Sequence, residues 1–330
     1  MRRAVTPTRT SPTGFWVALL VVLLAITGCT GPRLTPPDEP GSPGKAPLGA
    51  FLGSDHHGVA AITAFERWLG APVAVGHTYL PGDNWSDLAG VDWVLDPWTA
   101  WRRAAPARML VLNVPMVAPN EADLPDPDVA ALLRQGADGW YDQYFRALAD
   151  GLVRRGAVDT ILVLGWEMNG TTYSSRCGPD PAAWRAYWRR IVAVMRAVPG
   201  QHFRFDFTPV RGRHAVPWAQ CYPGDDVVDI IGMDSYDQRP GTTFADFIRQ
   251  PDGLRDHAAF ARAHGKPMSF PEWGLFDHGD NPAYIQAMST WMGAHDVVYQ
   301  TVTDYCPHGV WECGENLRSS EAYRAAFGRQ

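Results

Sequence analysis

From residue 48 onward, short apolar runs recur, most of them followed by a stretch whose apolar positions return every three or four residues. The short runs fall at 48–52, 72–75, 108–114, 160–166, 203–207, 228–233, 267–270 and 297–302, and each reads as a buried strand. Between most of them lie helical faces. Val59, Ile62, Phe65 and Leu69 line one over 59–69, and Trp140, Tyr144, Leu148 and Leu152 line another over 139–155. Further helices are expected over 181–198, which opens with a proline suited to a first turn, and over 244–264, 282–292 and 321–327. Strands alternating with helices imply parallel strands joined by right-handed crossovers. Eight such units match the roughly 250 residues, plus insertions, of a single (β/α)8 TIM barrel, an α/β fold. A doubly wound sheet would carry a Gly-rich first turn, and LGAFLGS at 48–54 is not G-x-G-x-x-G.

The first residues break the pattern. FWVALLVVLLAI at 15–26 is a continuous apolar run behind Arg2, Arg3 and Arg9. It is too short to span a bilayer and has the length of a signal-peptide core. It leads into A-I-T-G before Cys29, which resembles the lipobox of bacterial lipoproteins. That resemblance implies cleavage before Cys29 and a lipid-modified N-terminus, anchored in the membrane outside the cytoplasm. An ordinary signal peptide is the alternative. Residues 1–28 are then signal peptide, 29–46 a Pro/Gly-rich tether, and 47–330 the folded domain. Cys177, Cys221, Cys306 and Cys313 remain, and an even number in an exported chain reads as two disulfides. Of three pairings, Cys306 with Cys313 and Cys177 with Cys221 is preferred, since it closes one short loop and ties two long ones. A four-thiolate zinc site finds no CxxC spacing.

Composition narrows the partners. The 330-residue chain is 46% hydrophobic and 19% charged, as a folded globular protein is. A formal charge of −6 with no basic stripe argues against nucleic acid and against a polyanionic substrate. Fourteen tryptophans are enough to fill a core and also face sugar rings. A monomer is expected.

In a barrel, the residues at the C-terminal ends of the strands surround the active site. Those positions hold Asp55, His56 and His57; His77 and Tyr79; Asn113 to Met116; Trp166 to Asn169; Asp206 and Arg211; Asp234, Ser235 and Tyr236; Glu272 and Trp273; and Asp304 and Tyr305. Glu167, in G-W-E-M-N-G after the fourth strand, and Glu272, in S-F-P-E-W-G after the seventh, would face each other across the mouth. Hydrolysis of a glycosidic bond needs such a pair, one acid to protonate the leaving oxygen and one carboxylate opposite.

Glu after strand four and Glu after strand seven resembles the clan A retaining glycoside hydrolases. W-E-M-N-G, with D-G-L-V-R-R-G at 150–156 and I-I-G-M-D-S-Y at 230–236, is most similar to glycoside hydrolase family 26, whose members are mostly β-mannanases with some β-glucanases and xylanases. The resemblance implies Glu167 as general acid/base, Glu272 as nucleophile, Tyr236 hydrogen-bonded to the nucleophile, and Asn169 holding the loop or a sugar hydroxyl. It implies an endo-acting enzyme on a β-linked polysaccharide of the β-mannan or β-glucan class, with no cofactor. Trp166 stands where the family has histidine, and Thr171, Thr172 and Tyr173 stand where it has a tryptophan. His77, Tyr79 and Trp166 are expected to bind substrate. Trp273 and Trp311 would stack on sugar or close the barrel top. Two rival readings are a catalytically inactive glycan-binding lipoprotein and a metal-dependent esterase built on Asp55, His56 and His57. No metal site is expected, because adjacent histidines rarely reach one ion.

Overall fold

The computed structural model describes residues 46–328. The signal peptide, Cys29 and almost all of the tether lie outside the described residues. In chain order the strands are β1 (Leu48–Phe51), β2 (Val75–Tyr79), β3 (Met109–Val114), β4 (Ile161–Leu164), β5 (Arg204–Phe207), β6 (Ile230–Gly232), β7 (Ser235–Asp237), β8 (Met268–Leu275) and β9 (Val297–Thr303). The helices are α1 (His56–Leu69), α2 (Asp92–Arg103), α3 (Asp126–Ala137), α4 (Asp142–Arg154), α5 (Pro181–Arg196), α6 (Phe244–Arg249), α7 (Leu254–Ala263), α8 (Pro282–Gly293) and α9 (Leu317–Phe327). All strand pairings are parallel. β1 pairs with β2 on one side and β9 on the other, and β6 pairs with β8, so the sheet closes on itself. The nine strand segments make an eight-stave (β/α)8 barrel. The sixth stave is split: Ile231 in β6 sits opposite Met268 of β8, and Ser235 in β7 opposite Trp273.

Side-chain alternation sorts the strands into two layers. Val75, Val111, Ile161, Val163, Ile230 and Tyr299 fill the barrel interior, while Leu110, Leu112, Leu162 and Leu164 point out against the helices. Helix α2 presses closely on β2: a Cβ at Gly76 would lie 2.7 Å from the Trp101 ring and 2.8 Å from that of Trp98. Only glycine fits there.

Several boundaries differ from the sequence reading. The second strand runs to Tyr79, so His77 and Tyr79 lie within it rather than beyond its end. The seventh stave continues through Pro271 to Leu275. Helix α2 was unreadable because Pro97 interrupts it, yet Val94, Leu95, Trp98 and Trp101 bury a continuous stripe. Helix α3 lies in a stretch where no helix was expected. The single helix expected over 244–264 is two, separated by Pro251, Asp252 in left-handed conformation (φ 58°) and Gly253. Among the described residues, no helix is long and apolar enough to cross a membrane.

Candidate active site

Glu167 does not sit on β4. The strand ends at Leu164, Gly165 turns with φ 55°, and Glu167 itself has φ 51°, in the left-handed region that non-glycine residues avoid. Such a backbone persists only where its surroundings hold it. Here they do. Glu167 N–H donates to Thr208 O at 2.8 Å, and Glu167 O accepts from Gly170 N–H at 2.9 Å. Met168 is buried beneath the turn. Asn169 clamps it to the β5–β6 loop: Oδ1 accepts from Val210 N–H at 3.0 Å, and Nδ2 donates to Val210 O at 3.0 Å and Gly212 O at 3.2 Å. These bonds satisfy Asn169 within a fully buried position, so it holds the loop and not a sugar.

Glu272 reaches the interior through a bulge. Between Phe270 and Trp273, β8 spends three steps while β9 advances two, from Gln300 to Val302. Met268 and Phe270 face outward before the bulge, Trp273 and Leu275 after it, and Glu272 turns inward. The residue is 8% exposed. Tyr236 O–H donates to Oε2 at 2.9 Å, and Asn113 Nδ2 donates to Oε1 at 3.3 Å. The Tyr79 phenol hydrogen-bonds it as well.

Two more layers fix those donors. Thr303 Oγ1 lies 2.7 Å from the Tyr236 oxygen and supplies the proton that the phenol accepts. Buried Arg211 donates to the carbonyls of Tyr236 and Gln238, both at 2.8 Å, and stacks on Phe247. His77 is fully buried with its pKa lowered to about 4 by desolvation, so it is neutral. Its Nε2 lies 2.9 Å from Asn113 Oδ1, and its Nδ1 lies 3.0 Å from Thr301 Oγ1. His77 therefore orients Asn113 and does not line the cleft, which corrects its expected contact with substrate.

The electrostatics separate the two acids. Burial raises Glu167 to about pKa 8, and the charge of Glu272 adds to the shift. No side-chain donor of the described residues offsets it. Burial also raises Glu272, but hydrogen bonds from Tyr79, Tyr236 and Asn113 pull it back down. Asp234, wholly buried between β6 and β7 with no side-chain donor on its carboxylate, is pushed well up by burial and by Glu272 and Glu167, against the pull of the Glu272 backbone N–H. Asp206 lies deeper in the barrel, bound by Ser269 and Tyr299 at 2.6 Å each and by Thr208 at 3.0 Å.

Over Glu272 opens a cleft of ≈ 390 Å³, walled by Phe51, Tyr79, Trp93, Trp166, Tyr173 and Tyr305 among others. Trp166 packs against Tyr79 and Tyr173, with ring centroids at 5.6 and 4.9 Å. Trp93 and Tyr305 stand half-exposed at the rim. Trp93 escaped the sequence reading because it rides on the unforeseen α2.

Trp273 and Trp311 are not sugar platforms. Trp273 is fully buried, donates to Gln300 Oε1 at 2.6 Å and stacks on Tyr323. Adjacent strand residues face opposite sides, so once Glu272 points in, Trp273 points out. Trp311 packs edge-on to Phe65, and its backbone N–H donates to Asp304. The disulfides are Cys177–Cys221 and Cys306–Cys313, the preferred pairing. Asp55 caps α1 by accepting from His57 N–H at 2.8 Å and also holds the His57 ring. Asp55, His56 and His57 offer ligand atoms within 4.8 Å of one another, but the two imidazoles point into solvent outside the cleft wall.

Comparison with known proteins bears on this geometry. Residues 156–291, which hold both Glu167 and Glu272, match the sequence model of glycosyl hydrolase family 26. The resemblance read from the W-E-M-N-G motif is thus to that family. The fold agrees. A mannanase from Bacillus subtilis superposes with a TM-score of 0.63 at 17% identity, covering 86% of each chain. A family 26 endo-β-1,4-mannanase catalytic domain from Bacillus sp. JAMB-750 gives 0.63 at 15% identity, covering 87% of this chain and 86% of the other. A modular endo-β-1,4-mannanase from Cellulomonas fimi gives 0.60 at 19%, covering 79% and 64%. No curated protein matches the sequence. The family model matches the segment that carries both acids, and the structural likenesses show the barrel.

Proposed function

We propose that this chain is a retaining endo-β-glycosidase acting on a β-linked polysaccharide of the β-mannan class. The observation that carries the reading is the unequal surroundings of the two acids: Glu272 receives Tyr236 and Asn113 on separate oxygens, whereas Glu167 receives no side-chain donor and is raised to about pKa 8. At neutral pH, Glu167 keeps a proton to give and Glu272 an ionised oxygen to attack with. In the first step, Glu272 bonds to the anomeric carbon. The glycosidic C–O bond breaks, and the Glu167 proton passes to the leaving oxygen. In the second, the Glu167 carboxylate takes a proton from water, whose oxygen displaces Glu272 from the same carbon. Two inversions give net retention, a route that needs the carboxyls about 5–5.5 Å apart. The family match and the mannanase folds support the β-mannan class. The aromatic cleft supports a sugar chain as its occupant.

We propose further that the protein is exported and held to the membrane by lipid on Cys29. The small residues before Cys29 support this, as do two disulfides, which persist in oxidising compartments.

The test is incubation with β-mannans, β-glucans and xylan, with product detection by mass spectrometry and Glu272→Ala as control. Oligosaccharides that appear from β-mannan and vanish in the control are expected. Binding without products from any of the glycans would favour the inactive glycan-binding reading.

A further inference from the structure

Among the described residues, the cleft wall contains three carboxylates, from Asp83, Glu121 and Glu272, and no lysine or arginine. Glu272 belongs to the proposed chemistry, but Asp83 and Glu121 do not. They stand on two loops strapped together. Asn120 N–H donates to Gly82 O at 2.7 Å, so the residues just before Glu121 and just before Asp83 are joined by backbone. Ser174 N–H donates to Asn120 O at 2.6 Å, tying in the loop that carries Tyr173. Both acids are exposed and sit on a wall that is fixed in place. Arg176, the cation of the Tyr173 loop, is committed to Asp126 and to the carbonyl of Leu124. Glu121 also acts across the cleft, since burial, Glu272, Glu167 and Glu121 together push the Tyr305 phenol up.

Charges of one sign in a concave, aromatic-walled site focus their field on whatever enters it. A hydroxyl-bearing sugar feels this field weakly. A sugar carrying a carboxylate, sulfate or phosphate meets repulsion from fixed charges with no cation to offset it. We propose that Asp83 and Glu121 form a charge filter that admits neutral glycan chains and excludes anionic-substituted ones. This rests on the glycosidase reading above and narrows its substrate class.

The experiment compares β-mannan carrying carboxymethyl groups with β-mannan carrying hydroxyethyl groups at equal substitution. The two substituents are close in bulk and differ in charge. The full-length protein in detergent is measured for kcat/KM on each polymer, and for binding to each by affinity electrophoresis, at low and high salt. The wild type should favour the hydroxyethyl polymer by about fivefold or more at low salt. High salt should shrink that ratio, because exposed charges are screened. The Asp83→Asn, Glu121→Gln double variant should shrink it at low salt. A ratio near one in the wild type at low salt, or an unchanged ratio in the double variant, would overturn the filter. If neither polymer is cleaved, the glycosidase reading fails and the binding ratio alone decides the filter. If neither polymer is bound, both fail.

Discussion

Glu272 lines the cleft and its charge acts on Glu167, and what surrounds each carboxyl decides its own charge. Tyr236, Asn113 and Tyr79 favour the ionised form of Glu272. Glu167 has burial and the neighbouring charge, which favour its proton. The rate should therefore rise with pH as Glu272 ionises and fall as Glu167 loses its proton near pH 8. Tyr236→Phe removes a donor to the ionised Glu272. Its pKa then goes up, and the acid limb of the kcat/KM profile should move to higher pH by about one unit, the worth of one hydrogen bond to a charged group. The alkaline limb should stay close to pH 8, and a profile measured in both proteins checks this. Glu167, Glu272 and Tyr236 were legible in the sequence because strand-end polar residues in a barrel converge. Of the two roles open to Trp273, the buried one holds, because strand residues alternate and Glu272 beside it points in. The split between Glu272 held by donors and His77 orienting one of them was not legible, since in the sequence both read as strand-end polar residues with nothing to rank them.

At the scale of elements, the site depends on irregularities in otherwise regular strands. The bulge in β8 turns Glu272 inward, the break between β6 and β7 delivers Tyr236, and the left-handed turn after β4 lifts Glu167. Sequence patterning showed where the staves lay, but it could not show a bulge, which changes the count of residues by one without changing their types. Proline misled in two directions: Pro97 hid a helix, and Pro271 ended a strand too soon. The loop after β4 is braced by Cys177–Cys221, whose cysteines are 44 residues apart. Closing a loop of that length removes chain entropy worth about 4 kcal/mol in the unfolded state. Cys177→Ser with Cys221→Ser should lower stability by roughly 2–4 kcal/mol in urea unfolding. It should also lower kcat, because the Glu167 turn is anchored there through Cys177 N–H to Met168 O at 2.8 Å. Cys306–Cys313 spans 7 residues and should matter less to stability.

Over the whole molecule, eight staves close a barrel whose mouth gathers acids and aromatic rings. The fold was legible because eight apolar runs recur with helical faces between most of them, and because no Gly-rich turn opened the first unit. The proposed signal peptide and Cys29 lie outside the described residues. Cys29→Ala should release the protein from membranes into the soluble fraction, as read by fractionation, and continued membrane association would contradict a lipid anchor. Retention of the anomeric configuration depends on Glu272. The most direct measurement follows β-mannan hydrolysis by NMR and records the anomer released first, in the wild type and in Glu272→Ala. The account predicts β-anomer first from the wild type and no turnover in the variant. An α-anomer first, or turnover by Glu272→Ala at the wild-type rate, would contradict it.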